Sequence, residues 1–320
     1  MGQGYPDFLG SEVARRAAAE ALKEAALNQY SAPRGLPQLR EAVASWHSRR
    51  YGSKQTAEDV VVTAGGQEAL VCAIRAGIEA SGRSGGVVVM EPFYPFLGGV
   101  VVMEPFYPFL GGAVSRAGGI AMPMRLEAPE FRIRGVELLD IPENAFVVAD
   151  EVYEGTAKHR RVASVVDPQR VITVGSAGKL LSLTGWRVGW IVASNRELAD
   201  RAAAAHLDLT YAAPTPLQAG VARALDEDDL GGVGALFKQN YEKLEAALPS
   251  SLKARGGPRG YFLVAEIIDG TDDLTFVERL AESTGVVAAP LRVFYADPPP
   301  TNLVRFTNQH TTSTPRVGAS

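Results

Sequence analysis

Apolar positions along the chain follow two rhythms, one helical and one strand-like. Ser11 stands before the alanine-rich EVARRAAAEALKEAA, whose composition and capping residue predict a helix. A second helix is expected through LPQLREAVASWHSRRYG, with Gly52 as its stop. The rhythm changes in VVVTAGGQEALVCAIRAGIEA: an apolar run at 60–63, a Gly65-Gly66 turn, then helical spacing from about Gln67. Strand, glycine turn and helix begin an α/β unit. Apolar runs at 87–90, 100–103, 145–149 and 171–174, with turn or helix signals between them, predict further strands. The fold class read from this pattern is α/β, with a mostly parallel sheet covered by helices.

Past about residue 217 the texture becomes a helix in LFKQNYEKLEAALP, a strand in GYFLVAEI, a helix at 274–284 and short strands near GVVAAP and NLVRFT. This reads as a smaller α+β domain. The expected division is a large domain over 31–217, a small domain from 1–30 and 218–308, and a polar, unperiodic and therefore disordered tail at 309–320.

One phrase, VVVMEPFYPFLGG, occurs twice without a difference, at 87–99 and 100–112. Repeats used as architecture recur at least three times at a period of roughly 20–50 residues, and two copies do not meet that condition. An odd period would also exchange the two faces of a continuous strand. The duplicate must form its own element or loop out.

Composition narrows the function. With 320 residues, 46% hydrophobic, the chain can bury a large core and divide into two lobes. A formal charge of -4, a pI near 5.7 and no basic run give no electrostatic reason for a nucleic-acid partner, which leaves small-molecule chemistry. Cys72 is the single cysteine, so an intramolecular disulfide or a cysteine-based metal cluster is ruled out, and a reducing compartment fits. His47, His159, His206 and His310 show no ligand spacing, and no metal site is expected. The opening MGQGYPDFLG lacks the regions of a signal peptide, and no apolar run approaches the roughly 20 residues that span a bilayer. A cytoplasmic protein with no membrane partner is the expectation.

The chemistry concentrates in VITVGSAGKLLSLTGWRVGW, where an apolar strand empties into Ser176-Ala177-Gly178-Lys179 and Arg187 follows. A lysine among small and apolar neighbours is poorly solvated, which makes its amine a better nucleophile. Upstream, NAFVVADEVYEG ends a buried strand with Asp150 and places Tyr153 shortly after it. The carboxyl end of a parallel strand is where α/β sheets bind ligands. Taken singly, each feature has a bland reading: a snorkelling surface lysine, a helix-capping aspartate, an ordinary glycine turn. Together they match pyridoxal 5'-phosphate, which needs a lysine for the Schiff base and an acid beside its pyridine nitrogen; Lys179 and Asp150 supply that pair. Its phosphate needs donors, and Gly66 and Gln67 offer backbone N–H groups at a helix start, joined by Ser176 and Arg187. Ser176 and Lys179 also fit the S-x-x-K pattern of serine acyl-transferases, but neither S-D-N nor K-T-G accompanies it.

With these residues in place, the sequence resembles the fold-type I pyridoxal-phosphate aminotransferases of class I and II. It is most similar to the kynurenine aminotransferase and cysteine-conjugate β-lyase branch, through GQGYPDF, NQY, EPFYPF, DEVYE, GSAGKLLSLTGWRVGW, APTPLQA, GYFLV and VFYADPP with VRFT. The resemblance implies that Lys179 is the Schiff-base lysine and proton shuttle, that Asp150 pairs with the pyridine nitrogen, and that Tyr153 bonds the cofactor's phenolic oxygen. It assigns the phosphate to Gly66, Gln67, Ser176 and Arg187, with Tyr30 reaching the partner's phosphate in a homodimer. Arg305 would grip the substrate α-carboxylate, and Tyr5, Tyr211 and Phe294 are candidates for the substrate pocket. The aromatic that stacks on the cofactor is Tyr94 or Tyr107, one from each copy of the repeat, and the spacing from Gln67 favours Tyr94.

One departure from the family stands out. Relatives carry another strand and an NPxNPxG loop between the segments that match EFRI and the Asp150 strand, and here only RGVELLDIPENA intervenes. Asn144 in that link is wrongly placed to replace the loop asparagine. The absent strand belongs beside the Asp150 strand, which raises the expectation that a duplicated VVVM strand takes its place; residues 100–103 outside the sheet would sink it. The implied activity is transfer of an amino group between an amino acid, aromatic or sulfur-containing, and a 2-oxo acid, with C–S β-lyase activity on the side. The alternative is a descendant that keeps the fold or the cofactor without turnover.

Overall fold

The computed structural model describes residues 6–81, 87–90, 99–104, 117, 120–125, 145–155, 161–164, 166–230, 232–259, 261–295 and 299–308, with the strands at 87–90, 99–104 and 120–125 described through their backbone. Tyr5, Tyr94, Tyr107, Asn144 and the tail expected at 309–320 lie outside these residues.

Ser11 caps α1 (Glu12–Ala21), its hydroxyl accepting the Ala14 N–H at 3.0 Å. The helix is shorter than the alanine-rich stretch predicts. The Asn28 amide donates to the carbonyls of Leu22 and Glu24 at 2.9 and 3.0 Å, and Ala25–Asn28 closes into a 3-10 turn. In α2 (Pro37–Tyr51), Pro37 opens the helix and Gly52, at φ 66°, ends it in the left-handed region, as its sequence position predicts.

Seven strands form the larger sheet: β1 (Val60–Thr63), β2 (Val87–Met90), β3 (Gly99–Glu104), β4 (Ile120–Arg125), β5 (Phe146–Asp150), β6 (Val171–Ser176) and β7 (Gly189–Val192), in the order β1-β7-β6-β5-β2-β3-β4. All run parallel except β7, which pairs antiparallel with β1 and β6. Its helices include α3 (Gly66–Ser81), the single turn α4 (Ala177–Leu180), α5 (Arg196–Leu209) and α6 (Thr215–Asp226). The smaller sheet, β10-β11-β9-β8, is antiparallel, with β8 (Leu252–Arg259), β9 (Phe262–Ile267), β10 (Ala289–Pro290) and β11 (Leu303–Thr307); α7 (Val233–Ala246) and α8 (Asp273–Thr284) accompany it. The GVVAAP strand shrinks to two paired residues, since Pro290 has no N–H to extend the ladder.

The VVVM segment of each copy lies in a strand. β2 lies between β5 and β3, and Val89 pairs with Val102, the same position in the two copies. The condition that would have sunk the substitution idea is not met, and it is the first copy that stands against the Asp150 strand. The stretch between β2 and β3, 91–98, is shorter than the dozen or more residues that ordinarily carry a parallel crossover.

Successive strand residues face opposite layers, as the pleat requires. Val61, Val148, Ile172, Val174 and Ile191 pack with residues of α3 and α5. Val60, Val62, Trp190 and Val192 face the other way, into a cluster with residues of α1, α2 and α6. Val147, Ala149 and Val171 instead meet Val264, Leu291, Phe294 and Leu303 of the smaller sheet and its connections.

Behind the strand ends sits a buried polar network. Arg161 donates from Nε to Glu151 at 2.7 Å, from Nη2 to the Thr173 hydroxyl at 2.7 Å, and from Nη1 to His47 Nδ1 at 2.9 Å. An arginine only donates, so His47 Nδ1 accepts and its proton sits on Nε2, which faces Glu154 at 3.5 Å. Removing one partner of such a pair leaves an uncompensated buried charge. Arg161→Ala should therefore lower stability by about 3–5 kcal/mol in urea unfolding, and a loss below about 1 kcal/mol would show that Glu151 does not depend on it. Cys72, buried within α3, has its thiol pushed up to about 12, chiefly by burial and then by the Glu68 carboxylate. The native protein should resist thiol alkylation at pH 8 and react fully once unfolded, as read by mass.

Candidate functional site

The parallel strands β1, β5 and β6 end at one edge of the larger sheet, and the antiparallel β7 begins there. Gly189 pairs with both Thr63 and Ser176, the last residues of β1 and β6. Asp150, the last residue of β5, pairs with Val174 of the adjoining strand. The residues singled out by chemistry thus emerge from one carboxyl edge, the position at which sheets of this kind bind ligands.

Between β1 and α3 the chain makes a tight approach. Gly65 has φ 89°, and a Cβ there would collide with the guanidinium of Arg187, itself in the left-handed region at φ 52°. At Gly189 a Cβ would lie 2.6 Å from the Gly66 nitrogen, so only glycine lets β7 come this close to the turn. A Cβ at Gly66 would sit 3.2 Å from Ser176 Cβ and 3.3 Å from Val152 Cγ1. Gly66 and Gln67 therefore start α3 with backbone N–H groups beside Ser176 and Arg187. Arg187 donates to the carbonyls of Thr184, at 3.1 Å, and Ala64, at 3.5 Å, and among the described residues no carboxylate pairs with it. A helix start, a hydroxyl and an arginine without a counter-ion make a cradle for an anion.

Glu68 occupies the first turn of the same helix. Burial would raise its carboxyl, but hydrogen bonds from His206, Thr210 and the Ala64 N–H outweigh that and hold it below its ordinary range.

Lys179 lies on α4, half-buried, and its Nζ stands 4.8 Å from the ring centre of Tyr261 and 5.5 Å from that of Tyr153. Both distances are within cation–π range. Tyr153 is buried and meets Tyr261 at 5.0 Å and Phe262 at 6.3 Å, edge to face in each case. On the far side of Phe262, the Arg305 guanidinium is held between two rings, 4.1 Å from Phe262 and 4.2 Å from Phe294. Asp150 is buried, its Oδ1 accepting the Val152 N–H at 3.3 Å. The structure thus joins Lys179, Tyr153, Arg305 and Phe294 through Tyr261 and Phe262. These two were not singled out from sequence as site residues, although GYFLV carried the signal: two consecutive aromatics opening a strand.

Tyr30 and Tyr211 form a separate pair on the surface. Their rings meet edge to face at 5.3 Å, Tyr30 is 84% exposed, and Tyr211 has a left-handed φ of 69°. Among the described residues there is no cluster of metal-ligating side chains, and no helix is long and apolar enough to cross a membrane.

The pattern that defines aminotransferase class I and II matches residues 1–127 and 136–319. The methionine aminotransferase of Escherichia coli (strain K12) is 30% identical, the match covering 95% of this chain and 86% of that protein. Human kynurenine–oxoglutarate transaminase 1 is 27% identical over 93% of this chain and 84% of its own length. Among solved structures, an Escherichia coli protein with a methionine aminotransferase function superposes with a TM-score of 0.83 at 29% identity, covering 98% of this chain and 89% of that one. N-succinyldiaminopimelate aminotransferase from Mycobacterium tuberculosis gives a TM-score of 0.83 at 28% identity, over 97% and 88%. Fold, motif order and near-complete coverage coincide, and the chain belongs to the class I and II aminotransferases.

Proposed function

We propose that this aminotransferase binds pyridoxal 5'-phosphate at the carboxyl edge of the larger sheet and exchanges amino groups between 2-oxo acids and amino acids with aromatic or sulfur-containing side chains. The observation that carries the reading is the run of rings from Lys179 to Arg305, which sets an amine and a guanidinium at two ends of one aromatic wall.

The cradle suits the phosphate: Gly66 and Gln67 offer N–H groups, Ser176 a hydroxyl, and Arg187 a charged fork with no competing carboxylate among the described residues. When bound, pyridoxal phosphate supplies an electron sink for the substrate bond that breaks at Cα. Lys179 Nζ takes the proton from the substrate Cα and returns one in the reverse half-reaction. Asp150, buried at the end of β5, would hold a proton on the pyridine nitrogen, and the Tyr153 hydroxyl would donate to the phenolic oxygen. Arg305 grips the substrate α-carboxylate with its planar fork. Phe262 and Phe294 flank that fork and favour a substrate side chain that packs on rings. Relatives named for methionine and kynurenine support this choice. The same proton removal, with a sulfur leaving group at Cβ, would expel a thiol and give β-lyase activity.

Tyr30 and Tyr211 are proposed to meet a second copy of the chain in a homodimer, where Tyr30 reaches the partner's phosphate and Tyr211 joins the substrate pocket; the exposure of Tyr30 supports this. Tyr94 or Tyr107 is proposed to stack on the cofactor and Tyr5 to join the pocket; all three lie outside the described residues. Residues 31–217 are proposed as the cofactor-binding domain and 1–30 with 218–308 as the smaller one, in a cytoplasmic enzyme, although α1 and α6 pack against the larger sheet.

The test is an absorption spectrum with added pyridoxal phosphate, borohydride trapping with peptide mapping, and then a panel of amino acids. Reducible addition at Lys179 that converts with amino acids is expected, and the absence of addition would overturn the reading. Lys179→Ala should lower transamination about a hundred- to ten-thousand-fold, and a variant within about tenfold of the parent would contradict the proton-shuttle role. Arg305→Gln should raise KM for α-amino acids about ten- to a hundredfold, the worth of a charged bidentate contact, and leave amines without a carboxylate unaffected in steady-state kinetics.

A further inference from the structure

We infer that Tyr261 is a positioning residue for Lys179, fixing the lysine's main chain through its hydroxyl and the path of its amine over its ring. The inference rests on the reading of Lys179 as the nucleophile.

The four residues of α4 are too few to satisfy their own backbone. Leu181 N–H closes on Ala177 at 2.9 Å, while the carbonyls of Gly178 and Lys179 fall in the last turn, where a helix leaves its acceptors unpaired. Tyr261 donates its hydroxyl to Lys179 O at 2.7 Å and lies 3.4 Å from Gly178 O. Its side chain is fully buried, and a phenylalanine would fill the same space, so the hydroxyl is there for those carbonyls. Burial raises the phenol far above its ordinary range, which keeps it a donor. Because the hydroxyl's proton is given to a main-chain oxygen, Tyr261 acts by position.

The ring carries the second half of the argument. Nζ lies to one side of the Tyr261–Tyr153 pair, within reach of both rings, which stand at 65° to one another and bound the amine on that side. Tyr261 is itself locked against Phe237 at 4.5 Å. The residue that follows it, Phe262, carries Arg305, so one dipeptide at the start of β9 sets both functional ends of the site.

The test separates positioning from support of the fold. Capture of pyridoxal phosphate, in which Nζ attacks the aldehyde carbon and water leaves, is timed by borohydride quenching and the mass gained at Lys179. Pyridoxamine 5'-phosphate, which has no aldehyde and forms no bond to the lysine, reports on the cradle alone. Tyr261→Phe should slow capture about two- to tenfold, the worth of the lost hydrogen bond, and leave the affinity for pyridoxamine 5'-phosphate within about twofold. Equal loss for both ligands, or capture at the parent rate, would overturn the inference. Failure of the parent protein to capture the aldehyde at Lys179 would instead remove the functional reading beneath it.

Discussion

Burial of both faces of β1, β5, β6 and β7 in the larger sheet is the constraint from which the rest of the structure follows. With α3 and α5 on one side of β1, β5, β6 and β7, and α1, α2, α6 and the smaller sheet on the other, these four strands are buried along their length. Backbone and side-chain polarity can converge only where the ladder stops. That edge is tightened by two glycines: the β7 backbone at Gly189 rests against the Gly65-Gly66 turn, and the Arg187 guanidinium lies over Gly65. A helix start, a hydroxyl and an arginine are thereby brought within reach of one anion by backbone packing alone.

The DEVYE segment shows how a site is held from behind. Asp150 lies at the edge and Tyr153 joins the rings beneath Lys179, while Glu151 and Glu154 enter the buried network around Arg161 and His47. Arg161 reaches Glu151, next to the end of β5, and Thr173 of β6 at once. It ties the strand that ends in the acid to the strand that leads to the lysine. Desolvating these charges is costly, and the three directed contacts of the guanidinium offset that cost.

The repeat takes its meaning from the sheet. A strand lost beside β5 would leave a row of ladder groups unpaired, which a buried sheet does not tolerate. The first copy of VVVM pairs with β5 over Val87–Met90, and the second continues the sheet toward β4. A parallel sheet would accept an exchange of one such strand for another because its strands need little beyond apolar, β-branched residues.

Much of this was legible in the sequence. Strand runs at 60–63, 87–90 and 171–174, the helix starting near Gln67 and the Gly52 stop were readable because apolar period and backbone punctuation are local properties. Lys179, Asp150, Tyr153, Gly66, Ser176 and Arg187 could be picked out as candidates because the chemistry they are proposed to carry goes with residue type at a strand end, and β1, β5 and β6 do end at one edge. Tyr261 and Phe262 could not, since a buried aromatic in a strand looks the same whether it packs a core or holds a lysine. Nor could sequence choose which copy of the repeat stands beside Asp150, because the copies are identical and only pairing distinguishes them. By itself the sequence determined many of the elements, the family and the candidate reactive groups, which depend on each residue and its near neighbours. The tertiary structure alone decided the neighbours of Lys179 and Arg305, because contacts between distant segments depend on how the two sheets pack.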